Sequence, residues 1–124
     1  MNNNEWPERM NKKPTLLVQR TVRGGQSVNF DGNVVILGDV NPGAEIIASG
    51  HVLVMGSMRG VVHAGAAGDD EARVTALTLA PTQLRIASHI TRPPDGGYAQ
   101  TDHMAEMALI RDDTVIIEEY MPPR

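Results

Sequence analysis

The chain has 124 residues, a formal net charge of −4 and no cysteine. Its length fits one domain, its mild acidity provides no basic face for nucleic acid, and the lack of cysteine excludes disulfides and thiolate metal sites, as is typical of a reducing cytosol. It contains neither an apolar run of about 18 residues nor a signal-peptide core, so we predict no membrane-spanning segment.

The first fifteen residues are polar and include Lys12-Lys13-Pro14. We predict that residues 1–15 form a disordered tail or linker; residues left over from expression are the alternative. The first strand is expected at Leu16-Leu17-Val18. The β-helix domain is predicted over residues 16–120, with regular coils over 21–90 and capping strands over 104–120.

Between positions 22 and 64 an aliphatic or small residue returns every six positions. A helix repeats every 3.6 residues and a strand every 2, so neither sustains a period of six. A solenoid does, if each six-residue step is one short strand plus a corner and three steps close a triangular coil. The members of this series are Val22, Val28, Val34, Val40, Ile46, Val52, Met58 and Ala64.

A longer period, three times the period of six residues, is superimposed on this series. Residues 32–40 repeat as residues 50–58, with glycine at matching corners. Aromatic residues make up only 3% of the chain, a composition that suits a narrow interior. We therefore predict an all-β fold, a three-sided β-solenoid with about 18 residues per coil, as three steps of six require.

The outward side of two successive coils is apolar where a solvent-facing side should be polar. Since side chains alternate along a strand, Val34, Ile36, Val52 and Val54 point inward and their neighbours point outward. Stacked apolar side chains on a flat sheet indicate an interface, and we predict an isologous homodimer through them; burial beneath the C-terminal segment is the alternative. We name this surface the apolar face; its members are Val35, Leu37, Leu53, Met55 and, on a third coil, Leu77.

A second outward surface carries Arg23, Asn41 and Arg59, one residue from each successive coil. At a strand spacing of about 4.8 Å the two arginines lie roughly 10 Å apart. Gly24 and Gly60 beside them give no bulky shield. This arginine strip suits a carboxylate-bearing partner or an anion; a solvated face that keeps the solenoid soluble is the alternative.

After Ala64 the series is interrupted by a loop over residues 65–71, which contains Asp69, Asp70 and Glu71. The run lacks the spaced oxygen ligands of a calcium loop, so we interpret it as an exposed acidic turn. The aliphatic series resumes four residues out of phase, at Val74, Ala80 and Ile86.

The last third begins with a Pro- and Gly-rich segment, residues 91–100, which we interpret as a surface loop. Residues 107–117 then predict a strand, a turn and a strand. The last coil of a solenoid has unpaired backbone, so this hairpin is the expected cap. A helix over residues 104–110 is the alternative.

No motif for catalysis is apparent, and we predict no catalytic, cofactor or metal site and no enzyme activity. His51 occupies the corner that Asn33 occupies one coil earlier, and His63 falls on another side without a third ligand. There is no nucleophile elbow, and Arg23-Gly24-Gly25-Gln26 lacks the Lys-Ser/Thr ending of a phosphate-binding loop.

Several segments, in this order and at fixed spacing, resemble the C-terminal domain of MinC, the septum site-determining protein of bacteria. The resemblance covers residues 21–87 well and the C-terminal third loosely. The segments that carry it are Arg23-Gly24-Gly25-Gln26, Gly32-Asn33-Val34, Gly38-Asp39-Val40, Pro42-Gly43-Ala44, Gly50-His51-Val52, Met58-Arg59-Gly60 and Ala64-Gly65-Ala66.

The resemblance implies a right-handed β-helix that dimerises through a flat apolar face and binds ATP-bound, membrane-associated MinD. The family's Arg-Ser-Gly-Gln motif matches Arg23, Gly24, Gly25 and Gln26, with Gly24 where the family often has serine. The resemblance thus implies a cytoplasmic protein that MinD recruits peripherally to the membrane and that helps to restrict FtsZ-ring assembly. Contact with the FtsZ tail is a weaker implication. Since only about twenty residues precede the coils, the family's N-terminal FtsZ-inhibiting domain is expected to be absent, in an excised domain or a natural short form.

Two other classes share parts of this pattern. Hexapeptide-repeat acyltransferases also place aliphatic residues every six positions, but their coils are left-handed and a catalytic histidine lies between subunits. Bactofilin-like solenoids polymerise end to end, which requires uncapped ends. The apolar face and the shift in the series argue against the first, and sedimentation without a partner or nucleotide would discriminate the second.

Overall fold

The computed structural model describes residues 10–94, 96–98 and 104–122, and within these ranges the regular secondary structure is entirely strand. Alternating inward aliphatic and outward side chains, with turns rich in Gly, Pro and Asn, produce short strands. In chain order the strands are β1 (Thr15–Val18), β2 (Ser27–Phe30), β3 (Asn33–Ile36), β4 (Glu45–Ala48), β5 (Val52–Met58), β6 (Val61–Ala64), β7 (Val74–Leu79), β8 (Gln83–Ile86), β9 (His89–Thr91), β10 (Glu106–Arg111) and β11 (Thr114–Glu119).

The strands form two sheets and a narrow third side, which confirms the predicted three-sided solenoid. The first sheet has the order β1-β3-β5-β7-β10-β11 and the second the order β2-β4-β6-β8-β9. The third side is formed by isolated parallel bridges from Val22 to Val40 and from Val40 to Met58. Strands stack in parallel on the strand one coil earlier, as in the pair Val34 and Val52.

The interior is filled by the aliphatic and small residues that recur every six positions. All members of this series are buried except Val28, which is half-buried. Val28 lies on β2, the edge strand of the second sheet, so within the described residues no further coil covers it. Burying aliphatic side chains from every coil supplies the main stabilisation of the fold.

The phase shift of four residues comes from the acidic loop, which lengthens its coil. Ala64 pairs with Ile86 instead of with a residue four positions earlier. The coil before the acidic loop has fewer residues than the regular coils, and the six-residue period in the sequence does not reveal this. Ile46 pairs with Val62 rather than with Ala64, because the chain passes from β5 to β6 without the turn that residues 41–44 form. Since the shortening is by an even number of residues, Ala64 still points inward.

The resumed series is wrong at Ala80. Leu79, which is 2% exposed, occupies the interior position, whereas Ala80 is partly exposed and follows it. The cause is a register shift of one residue between Val54 and Ser57, where β5 carries one more residue than β7. Such a bulge changes which residue points inward.

The C-terminal strands close the last coil as predicted. β10 pairs antiparallel with β7 and with β11, which extends the first sheet by two strands, and β9 pairs antiparallel with β8. The turn between β10 and β11 has φ of 53° at Asp112 and 61° at Asp113, as a two-residue hairpin turn requires. The alternative of a helix over residues 104–110 is wrong, since β10 occupies most of that segment.

The predicted tail is only partly described, because residues 1–9 lie outside the described ranges. Asn11 exchanges hydrogen bonds with the Asn33 side chain, and Lys13 Nζ lies 3.4 Å from the Ser49 carbonyl oxygen and 3.5 Å from Asp69 Oδ2. β1 begins at Thr15. The division of the chain at residue 15 stays a prediction, as does the surface loop over residues 91–100, of which positions 95, 99 and 100 are not described.

Candidate functional site

The apolar face lies on the outward side of the first sheet, on β3, β5 and β7 and the corner that follows β3. Leu37, Met55 and Leu77 are 44%, 47% and 48% exposed. Val35 and Leu53, which pair across β3 and β5, are partly buried between their neighbours. The alternative of burial beneath the C-terminal segment does not hold for these three exposed side chains, because β10 and β11 lie beside β7 in the same sheet.

Leu17 extends the apolar face by one strand, and the sequence prediction missed it. It pairs with Val35, points outward from β1 and is 51% exposed. The signal was present, because the spacing from Leu17 to Val35 equals the spacing from Val35 to Leu53. A recess of about 560 Å³ lies over β5 and β7, and its lining extends from Leu53 and Met55 to Met107 and Tyr120.

The arginine strip lies on the third side, where each of its members follows a bridged interior residue. The Asn41 N–H donates to the Val22 carbonyl over 2.9 Å, and the Arg59 N–H donates to the Val40 carbonyl over 2.8 Å. Arg23, Asn41 and Arg59 are therefore stacked one per coil, as predicted, and both arginines are exposed.

The turn at the start of the strip is held by Gln26. Its backbone N–H donates to the Arg23 carbonyl over 3.0 Å, and its Oε1 accepts from the Arg23 N–H over 2.9 Å and from Arg20 over 3.3 Å. Gly25 has a φ of +85°, which glycine adopts without strain. The hydrogen bonds within the motif thus order its backbone and do not involve the Arg23 guanidinium.

Gly24 lies directly beneath the next coil. A Cβ atom at this position would lie 2.9 Å from the Pro42 carbonyl oxygen, closer than ordinary contact. A serine here, as in the resembling family's motif, therefore requires the two stacked turns to separate by a few tenths of an ångström. Glycine at this position permits the closer packing of this chain.

The histidines take part in hydrogen bonds with backbone. His51 Nδ1 accepts from the Arg73 N–H over 3.0 Å, and its own N–H donates to Asn33 Oδ1 over 2.9 Å. Burial lowers the pKa of His51, opposed by Asp69 and reinforced by Arg73 and Lys13. His63 Nε2 lies 2.9 Å from the Ala87 carbonyl oxygen.

The acidic loop is also bound within the chain. Asp69 accepts from the Glu71 N–H over 2.9 Å and forms an ion pair with Lys13 at 3.5 Å. Within residues 10–94, 96–98 and 104–122, no group of three or more His, Cys, Asp or Glu side chains is arranged to hold a metal ion. At the corner that contains His51 and the acidic loop, polar side chains join neighbouring coils through these contacts.

Three comparisons relate the chain to known proteins. The model of the family described as "Septum formation inhibitor MinC, C-terminal domain" matches residues 16–120. A probable septum site-determining protein MinC of Heliobacterium modesticaldum is 63% identical over 106 residues, which are 86% of this chain and 36% of that protein. Its namesake in Acetivibrio thermocellus is 62% identical over 104 residues, 84% of this chain and 46% of that protein.

The chain thus spans less than half the length of these two relatives. Among solved structures, a chain of the MinC:MinD cell division protein complex of Aquifex aeolicus superposes with a TM-score of 0.80 at 34% sequence identity. The superposition covers 89% of each chain.

Proposed function

The chain belongs to the family of the C-terminal domain of the septum formation inhibitor MinC, and we propose that it acts in the selection of the bacterial division site. In this proposal it is a dimeric adaptor that binds the membrane-associated ATPase MinD in its ATP-bound form and so helps to restrict FtsZ-ring assembly. Support comes from the 34% identical chain of the Aquifex aeolicus MinC:MinD complex, which has the same fold over 89% of its length.

The observation that carries the proposal is the arginine strip. Within the described part of the chain, the guanidinium groups of Arg23 and Arg59 form no hydrogen bond or ion pair. A guanidinium on an ordered turn keeps its paired donors available for a carboxylate on another protein. We assign partner contacts to Arg23, Gly24, Gly25, Gln26, Asn41 and Arg59.

The apolar face supplies the second half of the proposal. Three side chains that are each nearly half exposed give a self-complementary surface for a second copy of the chain. A dimer carries two arginine strips, so binding to one MinD molecule raises the effective concentration of the second strip near another. Membrane attachment is then peripheral and depends on MinD; within the described ranges no helix has the length and hydrophobicity to cross a bilayer.

The proposal assigns no chemical reaction to the chain. His51 and His63 are both bonded to backbone groups of a neighbouring coil, which supports a structural role for them. The family and its relatives are named for septum formation and septum-site determination. A contact with the FtsZ tail stays a prediction of the resemblance.

The test is co-sedimentation with liposomes that carry purified MinD, in ATP and in ADP. We expect the wild-type chain to pellet in ATP and to stay in the supernatant in ADP. Arg23→Ala removes a central charged contact, so its binding should be at least about thirtyfold weaker, as for an interface hot spot of about 2 kcal/mol. Wild-type chain that stays in the supernatant with both nucleotides would overturn the proposal.

Arg85→Ala is the matched control. Arg85 is also an exposed arginine, but it lies on β8 of the second sheet. Its loss should leave pelleting unchanged, and equal losses in Arg23→Ala and Arg85→Ala would mean that only net charge matters.

A further inference from the structure

Another recess lies at the corner of the solenoid where the acidic loop meets the hairpin of β10 and β11. We name it the corner recess; its volume is about 820 Å³. One wall is the acidic loop, and the floor includes outward side chains of β10 and the two residues that follow β11. Its principal lining residues are Asp69, Asp70, Glu71, Met107, Leu109 and Tyr120. An acidic wall beside an apolar floor indicates a binding surface of mixed chemistry.

The pairing of β10 with β7 determines where each part of the corner recess lies. Ala108 pairs with Val74, the first residue of β7, so the acidic loop before Val74 lies beside the Leu109 end of β10. At the other end, the Tyr120 N–H donates to the Ala105 carbonyl over 2.8 Å. At about 3.3 Å per residue, Ala105 and Leu109 are about 13 Å apart. The floor is therefore long enough for an extended segment of about four residues, with the charged wall at one end.

Two carboxylates of the acidic wall are available to a partner. Asp69 forms the ion pair with Lys13 at 3.5 Å and accepts from the Glu71 N–H. In the part of the chain that the structure describes, the Asp70 and Glu71 carboxylates take part in no hydrogen bond or ion pair. Both residues are exposed. An ammonium or guanidinium group of a partner can therefore approach them without displacing a cation of this chain.

Two cations of this chain lie at the corner recess and show which groups it accepts. The Lys13 ammonium lies at Asp69, and Arg73 Nη1 donates to Met107 Sδ over 3.7 Å, above the apolar floor. Arg73 is exposed, whereas Met107 beneath it is only 7% exposed. The recess thus holds one cation at its wall and a second whose aliphatic stem covers part of its floor. Its carboxylates repel nucleic acid and anionic lipid.

We propose that the corner recess binds a short extended segment of a partner protein in which lysine or arginine adjoins apolar side chains. The cation contacts Asp70 and Glu71, and the apolar side chains cover Met107, Leu109 and Tyr120. A metal ion alone does not fit, since among the described residues no group of three or more His, Cys, Asp or Glu side chains is arranged to hold one. The arginine strip has the opposite charge and lies on the third side, so this surface is separate from it.

Fluorescence anisotropy of labelled peptides tests the proposal. The probe is the acetylated and amidated pentapeptide Lys-Lys-Leu-Phe-Leu, and its two counterparts are Glu-Glu-Leu-Phe-Leu and Lys-Lys-Ser-Ser-Ser. Only the probe matches both the wall and the floor, so we expect it to bind the wild-type chain at least about tenfold more tightly than either counterpart. Added salt should weaken its binding, since the acidic wall is exposed and therefore screened.

Variants without the two available charges locate the site. Asp70→Asn combined with Glu71→Gln should weaken binding of the probe about five- to tenfold, as the loss of two exposed ion pairs allows. These two residues line the corner recess but not the recess over β5 and β7. The matched control is Asp112→Asn combined with Asp113→Asn, which removes the same charge from the turn after β10. Asparagine tolerates the positive φ of this turn, so the control should fold and bind the probe as the wild type does.

A gain of affinity provides a test that unfolding cannot imitate. Arg73→Ala removes the cation that this chain places above the floor, while the backbone N–H that donates to His51 remains. We expect the probe to bind this variant about threefold more tightly than the wild type. Arg85→Ala, on the second sheet, removes the same charge elsewhere and should leave binding unchanged.

Each contrary outcome would overturn the proposal. Equal losses in the two double variants would mean that only the net charge of the chain attracts the probe. Equal binding of the probe and Lys-Lys-Ser-Ser-Ser would remove the apolar floor from the site. A wild-type chain that sediments alone as a larger species than the variant with Asp70→Asn and Glu71→Gln would assign the corner recess to a second copy of this chain.

Discussion

The apolar face and the arginine strip are built by the same coils and the same inward residues, yet they present opposite chemistry. Behind the face lie Ile36 and Val54, and behind the strip lies Val40, all fully buried. Outside, one surface stacks aliphatic side chains and the other stacks arginine and asparagine. The interior thus determines the fold, while the outward positions are free to differ in chemistry between two sides of one solenoid.

The two surfaces also differ in backbone support. The apolar face belongs to a six-stranded sheet, whereas the strip lies on a side formed by isolated bridges and turns. A flat, continuous sheet suits a large contact with a second copy. Turns fix the backbone from which a few charged side chains project, as Gln26 does by accepting from the Arg23 N–H, and this suits recognition of a smaller polar surface.

The largest expected effect is on the free energy of unfolding, when an inward and an outward isoleucine of the same strand are each replaced by alanine. Ile46 and Ile47 are adjacent on β4, but Ile46 is fully buried and Ile47 points outward and is partly exposed. Ile46→Ala should lower the free energy of unfolding by about 2–5 kcal/mol, because it leaves a cavity in the core. Ile47→Ala should lower it by less than about 1 kcal/mol.

Urea denaturation of the two variants at equal protein concentration measures this difference. Both substitutions remove the same atoms, so their contrast isolates burial from residue type. Equal losses would contradict the assignment of inward and outward positions on which the comparison of the two surfaces depends.

A smaller effect should follow from the pH dependence of the corner between the acidic loop and the first sheet. Folding favours the neutral form of His51, because burial lowers its pKa and Nδ1 accepts from the Arg73 N–H. Asp69, Lys13 and Arg73 are the charged groups that face the ring, and the first opposes the other two. The unfolded chain therefore binds more protons than the folded one as pH falls through the ordinary histidine range.

Stability linked to His51 is thus present above a pH of about 6.5 and is lost as pH falls through the lowered pKa. The loss should be less than about 1 kcal/mol, since the ring is only partly buried and solvent screens it. His51→Asn keeps an acceptor, as Asn33 does one coil earlier, but does not titrate. The difference in unfolding free energy between this variant and the wild type should change between pH 8 and pH 5; a constant difference would assign the acid sensitivity to other groups.

The sequence predicted the features that repeat. A coil needs a small inward side chain at every step, so the period of six located the core from Val22 to Ala64, and the longer period of one coil located both outward surfaces. Local backbone events left no such trace. The one-residue bulge that moves Leu79 inward in place of Ala80 falls at Gly56. Gly38 occupies the matching position one coil earlier without a bulge, so this glycine does not reveal it.

Other features were hidden because they depend on contacts between distant coils. The shortened coil before β6 was masked, because Ala64 still points inward there. The hydrogen bonds that link Asn11, Asn33 and His51 join residues from three levels of the solenoid. Leu17 was recognisable from the period of one coil, whereas the recess over β5 and β7 is lined in part by Tyr120, which is distant from those strands in sequence.

The central claim is that dimerisation and MinD binding belong to two separate surfaces, and one pair of variants tests it most directly. Met55→Glu, with Ile47→Glu as its control on the second sheet, and Arg23→Ala would each be measured by sedimentation equilibrium alone and with ATP-bound MinD. We predict that Met55→Glu is monomeric, with a dimer at least about a hundredfold weaker, and still binds one MinD per chain. Arg23→Ala should remain a dimer and lose MinD. Loss of both properties in either variant, with Ile47→Glu unaffected, would contradict the separation of the two surfaces.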